Sequence, residues 1–204
     1  MIVYYCIEDE ISRAVARRLI NEYCPFGTSS QELGKAHGGF GYIKKNLQKF
    51  YDLAQRCPVL IVTDLDRAAC APSLRNNWLR AAGIVEPLPD KMLFCIVQTE
   101  IESWLLADTS GIASFLGVST ARLAPNIEAS ISNSKEYLVN LAKQSSNADI
   151  RNDLTPGRTS EASTGMNYNY RLSQFVCNEW NPQTAATNSL SLRRAIDKLS
   201  SLRP

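Results

Sequence analysis

The chain has 204 residues, of which 45% are hydrophobic and 21% are charged, and its formal net charge at pH 7 is +2. This content is enough for one globular core with a modest appendage, and a charge so near balance neither requires nor excludes a nucleic-acid partner. The six cysteines are scattered and lack the paired spacing of a structural zinc site. The chain shows neither an export leader nor a membrane-spanning segment, so we expect a cytoplasmic protein whose cysteines are reduced.

Strands and helices alternate in the first half of the chain. Continuous apolar runs rich in β-branched residues predict buried strands, and each is followed by a stretch with helical spacing. We predict strands over 1–7, 58–63 and 91–97, helices over 8–22, 42–56 and 73–82, a helix start at 98–108, and a Gly- and Ser-rich loop over 25–41. This order predicts an α/β fold with a mostly parallel sheet and helices on both faces.

The second half of the chain has a different pattern, with short helical pieces joined by polar loops and no clear strand. The pieces are predicted at 111–116, 135–143, 168–179 and 190–199. A segment near 147–167, rich in Asp, Asn, Ser, Thr and Gly, predicts a polar loop. We therefore divide the chain into a catalytic core over 1–108 and a helical extension over 109–204 that packs on it.

Acidic residues follow each of the three predicted strands. These residues are Glu8, the pair Asp64 and Asp66, and the pair Glu100 and Glu102. The carboxyl ends of parallel strands meet at one edge of a sheet, where ligands bind, so we expect these side chains to converge. A single acid at such a place is often only a favourable first-turn residue of the next helix, but two adjacent like charges after an apolar strand favour a bound cation.

Oxygen ligands of this kind suit Mg²⁺ or Mn²⁺. Asp64 and Asp66 are two residues apart, so in an extended segment they point to the same side and hold one cation. We assign Glu8 to orienting or deprotonating the attacking water, and Glu100 and Glu102 to a second cation position. The predicted metal ligands are Glu8, Asp64, Asp66 and Glu102, and phosphodiester chemistry needs such ions to neutralise the charge that repels a nucleophile.

The segments that carry these acids resemble the TOPRIM superfamily. They are residues 7–10 (Ile-Glu-Asp-Glu), residues 61–66 (Ile-Val-Thr-Asp-Leu-Asp) and residues 98–108, whose part from Glu100 to Asp108 is the most specific. The likeness extends to residues 165–169 and 189–193. It is strongest to small bacterial TOPRIM-like proteins of unknown function, related to the nuclease part of the overcoming-lysogenisation-defect (OLD) proteins.

The resemblance implies a Rossmann-like, four-stranded parallel core that binds metal through Glu8 and the Asp-x-Asp pair and cuts DNA or RNA. It also implies an ABC-type or related ATPase as partner and a role in anti-phage defence. Many relatives carry glycine directly after the first glutamate, whereas this chain carries Asp9, which adds bulk and charge beside Glu8.

Basic residues near the predicted edge are candidate substrate contacts. Arg67 follows the Asp pair, and a phosphate contact and a charge-balancing role are equally compatible with that position. The other candidates for substrate binding are His37 in the Gly-rich loop, Lys44 on the second helix, Arg158 in the polar loop and Arg171. A solvated helix face is the plainer interpretation of Lys44, and of Arg193, Arg194 and Lys198 near the end.

The sequence is also compatible with two other functions. A haloacid-dehalogenase-like, Mg²⁺-dependent phosphatase also places Asp-x-Asp after a core strand, with Asp64 as the nucleophile, although Arg67 and Ala68 stand where that class usually has Gly-Thr. A non-catalytic scaffold would keep the fold and bind an ATPase or form a homo-oligomer.

Overall fold

The computed structural model describes residues 1–34, 39–157 and 160–203. The strands are β1 (Ile2–Cys6), β2 (Ser29–Glu32), β3 (Val59–Asp64) and β4 (Met92–Val97). The helices are α1 (Glu10–Tyr23), α2 (Gly39–Ala54), α3 (Ala71–Ala81), α4 (Glu102–Ala107), α5 (Thr109–Leu116), α6 (Ile127–Ser130), α7 (Ser134–Ala142), α8 (Ala148–Leu154), α9 (Tyr168–Asn178), α10 (Pro182–Asn188) and α11 (Leu190–Ser200), with a 3₁₀ turn at Thr120–Arg122.

The four strands form one all-parallel sheet in the order β2-β1-β3-β4. This confirms the predicted α/β fold with a parallel sheet flanked by helices. Strand β2 was not predicted, because its sequence Ser-Ser-Gln-Glu is polar and only its pairing with β1 makes it a strand. An edge strand has little apolar surface to bury, so it carries no hydrophobic signal.

Apolar side chains on the two faces of the sheet enter two separate cores. Val3, Tyr5 and Val62 belong to a core that also contains α1, α4 and most of the helices after α4. Cys6 and Ile61 face the other way, into a smaller core formed with α2 and α3. The alternation explains why β1, β3 and β4 are continuously apolar, since both of their faces are buried.

Helices of the second half pack around α4, whose side chains are all buried. Trp104 is fully buried, as expected for a core residue, and its backbone carbonyl accepts a hydrogen bond from Trp180 Nε1 at 3.2 Å. Within the described residues no strand follows β4, and helix α8 occupies the first part of the predicted polar loop. None of the helices described has both the length and the apolar character that crossing a membrane requires.

Candidate active site at the carboxyl edge of the sheet

Glu8 and Asp64 meet at the carboxyl ends of the neighbouring strands β1 and β3. Glu8 Oε1 accepts a hydrogen bond from the Asp64 backbone N–H at 3.0 Å and another from the Thr63 hydroxyl. The two donors fix the position of the Glu8 carboxylate beside the end of β3. The predicted convergence of these two acids is therefore present in the fold.

The carboxylates at this edge are close enough to perturb one another. Burial raises the pKa of Asp64 well above its usual value, and the charges of Glu8 and Glu102 raise it further. Burial also raises the pKa of Glu8. The hydrogen bonds from Thr63 and Asp64 lower this pKa, and the charges of Asp66 and Asp9 raise it further. Mutual repulsion of this kind favours a cation at the edge.

Asp66 is not part of strand β3, which corrects the reason given for its pairing with Asp64. The strand ends at Asp64, and Asp66 is an exposed residue with φ of 49°, in the left-handed region. Its N–H donates to the carbonyl of Thr99, at 2.9 Å, and Thr99 has φ of 66°. Such a conformation is rare for a β-branched residue, and residues held in it cluster at functional sites.

Glu102 is the most deeply buried acid of the site, with no exposed surface. Its Oε1 accepts a hydrogen bond from the Tyr168 hydroxyl at 2.9 Å and lies 3.7 Å from Lys135 Nζ. Its Oε2 is buried and has no hydrogen-bond partner within the described parts of the chain. Burial raises the pKa of Glu102 to about 7, although Lys135 acts in the opposite direction.

The side-chain carboxylate of Glu100, a residue that precedes α4, lies at the amino terminus of helix α7. Its Oε2 accepts a hydrogen bond from the Lys135 backbone N–H at 2.8 Å, where the positive end of the helix dipole favours an anion. The Lys135 side chain faces the acids. Its burial disfavours the charge, but Glu102, Asp9 and Glu100 outweigh this and raise its pKa. Glu100 thus ties α7, and with it Lys135, to the carboxylate edge.

Several residues of the site were not predicted as site residues from the sequence. Thr63 and Asp9 are adjacent to predicted acids, and Asp9 also caps α1 by accepting the Ser12 N–H at 2.8 Å. Lys135 and Tyr168 come from distant helices and carry no local signal of their own. The only hint at Tyr168 is that it lies in the 165–169 segment of the resemblance.

Gly165 shows why that segment brings Tyr168 to the site. Its N–H donates to the Leu154 carbonyl at 3.0 Å, and a Cβ at this position would collide with the Asp153 backbone. The chain can therefore pass close to the end of α8 and begin α9 at Tyr168, whose hydroxyl reaches Glu102.

The predicted substrate-binding residues are placed in different surroundings. Arg67 is exposed directly after Asp66, and Lys44 is exposed in the second turn of α2. Arg171 forms an ion pair with Asp153, which is not one of the site acids, and its Nε lies 2.5 Å from Asp153 Oδ2. His37 and Arg158 lie outside the described residues.

The site supplies hard oxygen donors, but not a preformed cage. Among the residues described, no three His, Cys, Asp or Glu side chains are arranged to hold a metal ion. Mg²⁺ does not need such a cage, because it usually keeps several waters and takes one or two carboxylates together with substrate phosphate oxygens. The crowded carboxylates and the unpartnered Glu102 Oε2 fit an ion of this kind.

The fold and this edge define an α/β protein with an open parallel sheet and an acidic site at its carboxyl end. In structure the chain is similar to the C-terminal region of the Burkholderia pseudomallei OLD protein, with a TM-score of 0.52 over 97% of this chain and 96% of that one. The sequences are 15% identical, so the similarity shows a shared fold. No family model and no curated protein matches the sequence.

Proposed function

We propose that this protein is a metal-dependent nuclease of the TOPRIM type that cleaves phosphodiester bonds in DNA or RNA. The observation that carries the proposal is the meeting of Glu8, Asp64 and Glu102 at one sheet edge, where burial and the charges of neighbouring acids raise the pKa of each. A fold that needed only stability would compensate these acids fully with cations or leave them in water, whereas Lys135 offsets the charge of Glu102 only in part. The structural likeness to the OLD region supports the same class.

The residues that would hold Mg²⁺ or Mn²⁺ are Asp64, Glu8, Asp66 and Glu102. When bound, such an ion neutralises the phosphodiester charge and lowers the pKa of a coordinated water. One oxygen of Glu8 is engaged by Thr63 and Asp64, so its second oxygen is the one directed to this task. Asp66, being exposed, can turn towards substrate or metal without leaving a buried contact.

Glu102, besides being a proposed ligand, sets the charge and proton balance of the site together with Lys135. With a pKa of about 7, the Glu102 carboxyl exchanges a proton near neutral pH, which suits a group that accepts or returns one during the reaction. Tyr168 holds Glu102 Oε1, so the exchange falls to the unpartnered Oε2. Lys135 offsets part of the negative charge and keeps the edge compatible with an approaching phosphate.

The resemblance to the TOPRIM superfamily also supports a proposal for the biological setting. We propose that an ABC-type or related ATPase is the partner and that the pair acts in anti-phage defence. Co-expression of the chain with an ATPase encoded beside it, followed by phage challenge, would test this. Protection that is unchanged in Asp64→Asn would show a scaffold rather than an effector.

The nuclease proposal is tested by incubating the protein with plasmid DNA and with transfer RNA in Mg²⁺ or Mn²⁺. We expect cleavage of one of them, absent in EDTA and reduced at least about a hundredfold in Asp64→Asn. Asp153→Asn is a matched control, because it makes the same chemical change at an acid outside the site, and it should leave cleavage intact.

Two results would contradict the proposal. One is cleavage that survives Asp64→Asn, which would place the activity elsewhere or in a contaminant. The other is an absence of cleavage together with a phosphate analogue attached covalently at Asp64, which would show a phosphatase of the haloacid-dehalogenase type.

A further inference from the structure

A second feature of the molecule, beside the carboxylate edge, is a basic groove along the free side of strand β4. It encloses about 600 Å³ between α3, α6, α11 and the strand. Its cationic lining residues, the groove cations, are Arg75, Arg194 and Lys198. We propose that this groove holds the sugar-phosphate backbone of the nucleic acid next to the scissile bond, an inference that rests on the proposed nuclease function.

The side chains that line the groove carry a net positive charge. Glu128 is the one acid beside the three groove cations, and its carboxylate is already engaged at the start of α11. It accepts hydrogen bonds from the Ser189 hydroxyl at 2.6 Å and from the Leu190 N–H at 2.9 Å. Glu128 therefore caps a helix. Arg75 is also paired, with its Nη1 2.5 Å from Glu86 Oε1, so the positive charge that the groove offers to a ligand comes from Arg194 and Lys198.

The fold fixes helix α11, which carries two of the groove cations, against strand β4. Lys198 Nζ donates to the Phe94 carbonyl at 3.2 Å, on the side of β4 that has no neighbouring strand. Near the other end of the strand the Gln98 N–H donates to the Ser191 hydroxyl at 3.4 Å. Helix α11 is thus attached to the strand at both ends, which holds Arg194 over the groove between them. Fixed cations lose less entropy on binding a phosphate than mobile ones.

The groove is lined by residues that are close in the chain to the acids of the site. Gln98 lines the groove and is followed within four residues by Glu100 and Glu102. Ala71 and Pro72 also line it and follow Asp66 along the chain. The groove lining therefore extends to the carboxyl end of β4, the edge at which the acids lie, so a nucleic-acid strand in the groove would run towards them.

Arg194 gives the sharpest test, because its neighbour on the same helix is a matched control. Arg194 is exposed and lines the groove. Arg193 is exposed too, but it donates to the carbonyls of Ala186 and Thr187 and does not line the groove. Arg194→Ala and Arg193→Ala remove the same charge from adjacent positions, so general electrostatics affect both equally.

The experiment measures binding of fluorescently labelled DNA and RNA oligonucleotides by anisotropy, in EDTA so that no metal-dependent cleavage occurs. We expect Arg194→Ala to weaken binding several-fold and to lower the slope of log Kobs against log salt concentration by about 0.9 for a lost phosphate contact with duplex DNA. Arg193→Ala should resemble the wild type. Thermal melting of both variants identifies any loss that comes from unfolding.

The outcomes separate this inference from the nuclease proposal. Equal affinity and salt slope for the two variants would overturn the groove assignment and leave the nuclease proposal standing. A selective loss in Arg194→Ala without cleavage by the wild type would support the groove and contradict the nuclease. Failure of the wild type to bind either oligonucleotide, or selective loss of binding to an acidic peptide instead, would overturn the groove as a nucleic-acid site.

Discussion

Two acidic residues that contact helix α9 show opposite uses of a carboxylate. Asp153 accepts hydrogen bonds from Asn167 Nδ2 at 2.7 Å and from Arg171 Nε at 2.5 Å, and these contacts lower its pKa. Glu102 is fully buried, has one unpartnered oxygen, and has a pKa raised to about 7. The same helix therefore takes part in a stabilising ion pair through Arg171 and, through Tyr168, contacts an acid whose charge Lys135 compensates only in part.

The difference indicates which carboxylates destabilise the fold when they are ionised. An acid whose pKa is lowered in the folded protein stabilises the fold when ionised, whereas an acid whose pKa is raised destabilises it when ionised. Glu102, Asp64 and Glu8 all belong to the second kind. We interpret their accumulation at one edge as the signature of a cation-binding site, and Asp153 as an ordinary structural acid.

The largest expected effect on stability is that of Glu102→Gln. The raised pKa of Glu102 means that folding favours its protonated form, so the stability it contributes is lost as pH rises from about 4.5 to about 7. Without metal, the variant should become more stable relative to the wild type as pH rises, by roughly 2 to 3 kcal/mol in the free energy of unfolding between about pH 5 and about pH 8. Urea unfolding at both pH values measures this difference.

A gain that does not depend on pH would contradict this assignment. It would mean that the pKa of Glu102 is the same in the folded and the unfolded protein, because Lys135 and Tyr168 compensate its charge fully. The variant should also lose cleavage activity, so the same substitution would raise stability and remove function.

A smaller effect of opposite sign is expected for Asp153→Asn. The lowered pKa of Asp153 means that its stability is present above the ordinary pKa of an aspartate and is lost as pH falls through the folded value. The variant should therefore be less stable than the wild type near neutral pH, with the difference shrinking below about pH 4. Urea unfolding in the same buffers provides the comparison, and a constant difference at all pH values would argue against the pair with Arg171.

The sequence predicts the framework of the fold from its strongest patterns. The apolar runs of β1, β3 and β4 identify three of the four strands and the place where Glu8, Asp64 and Glu102 follow them. Local pattern fails at β2, which is polar, and at α8, whose composition is typical of a loop. Both elements depend on tertiary contacts, and a single-sequence pattern does not contain these.

The site is predicted in part, for a related physical reason. Acids that follow strands are visible because strand ends share an edge of the sheet. Lys135 and Tyr168 reach the same edge from helices 33 and 66 residues beyond Glu102, counting along the chain, so nothing in their local sequence marks them. Asp66 lies near enough to Asp64 for its charge to raise the Asp64 pKa, but the extended geometry expected of the pair is wrong, because Asp66 is in a left-handed turn after β3.

The central claim, that these carboxylates bind a divalent cation, is tested most directly by calorimetric titration of Mg²⁺ or Mn²⁺ into the protein at about pH 8, where Glu102 is largely ionised. We predict saturable binding to the wild type and to Asp153→Asn, and its loss in Asp64→Asn. Binding that is absent in the wild type, or that persists unchanged in Asp64→Asn, would contradict the account.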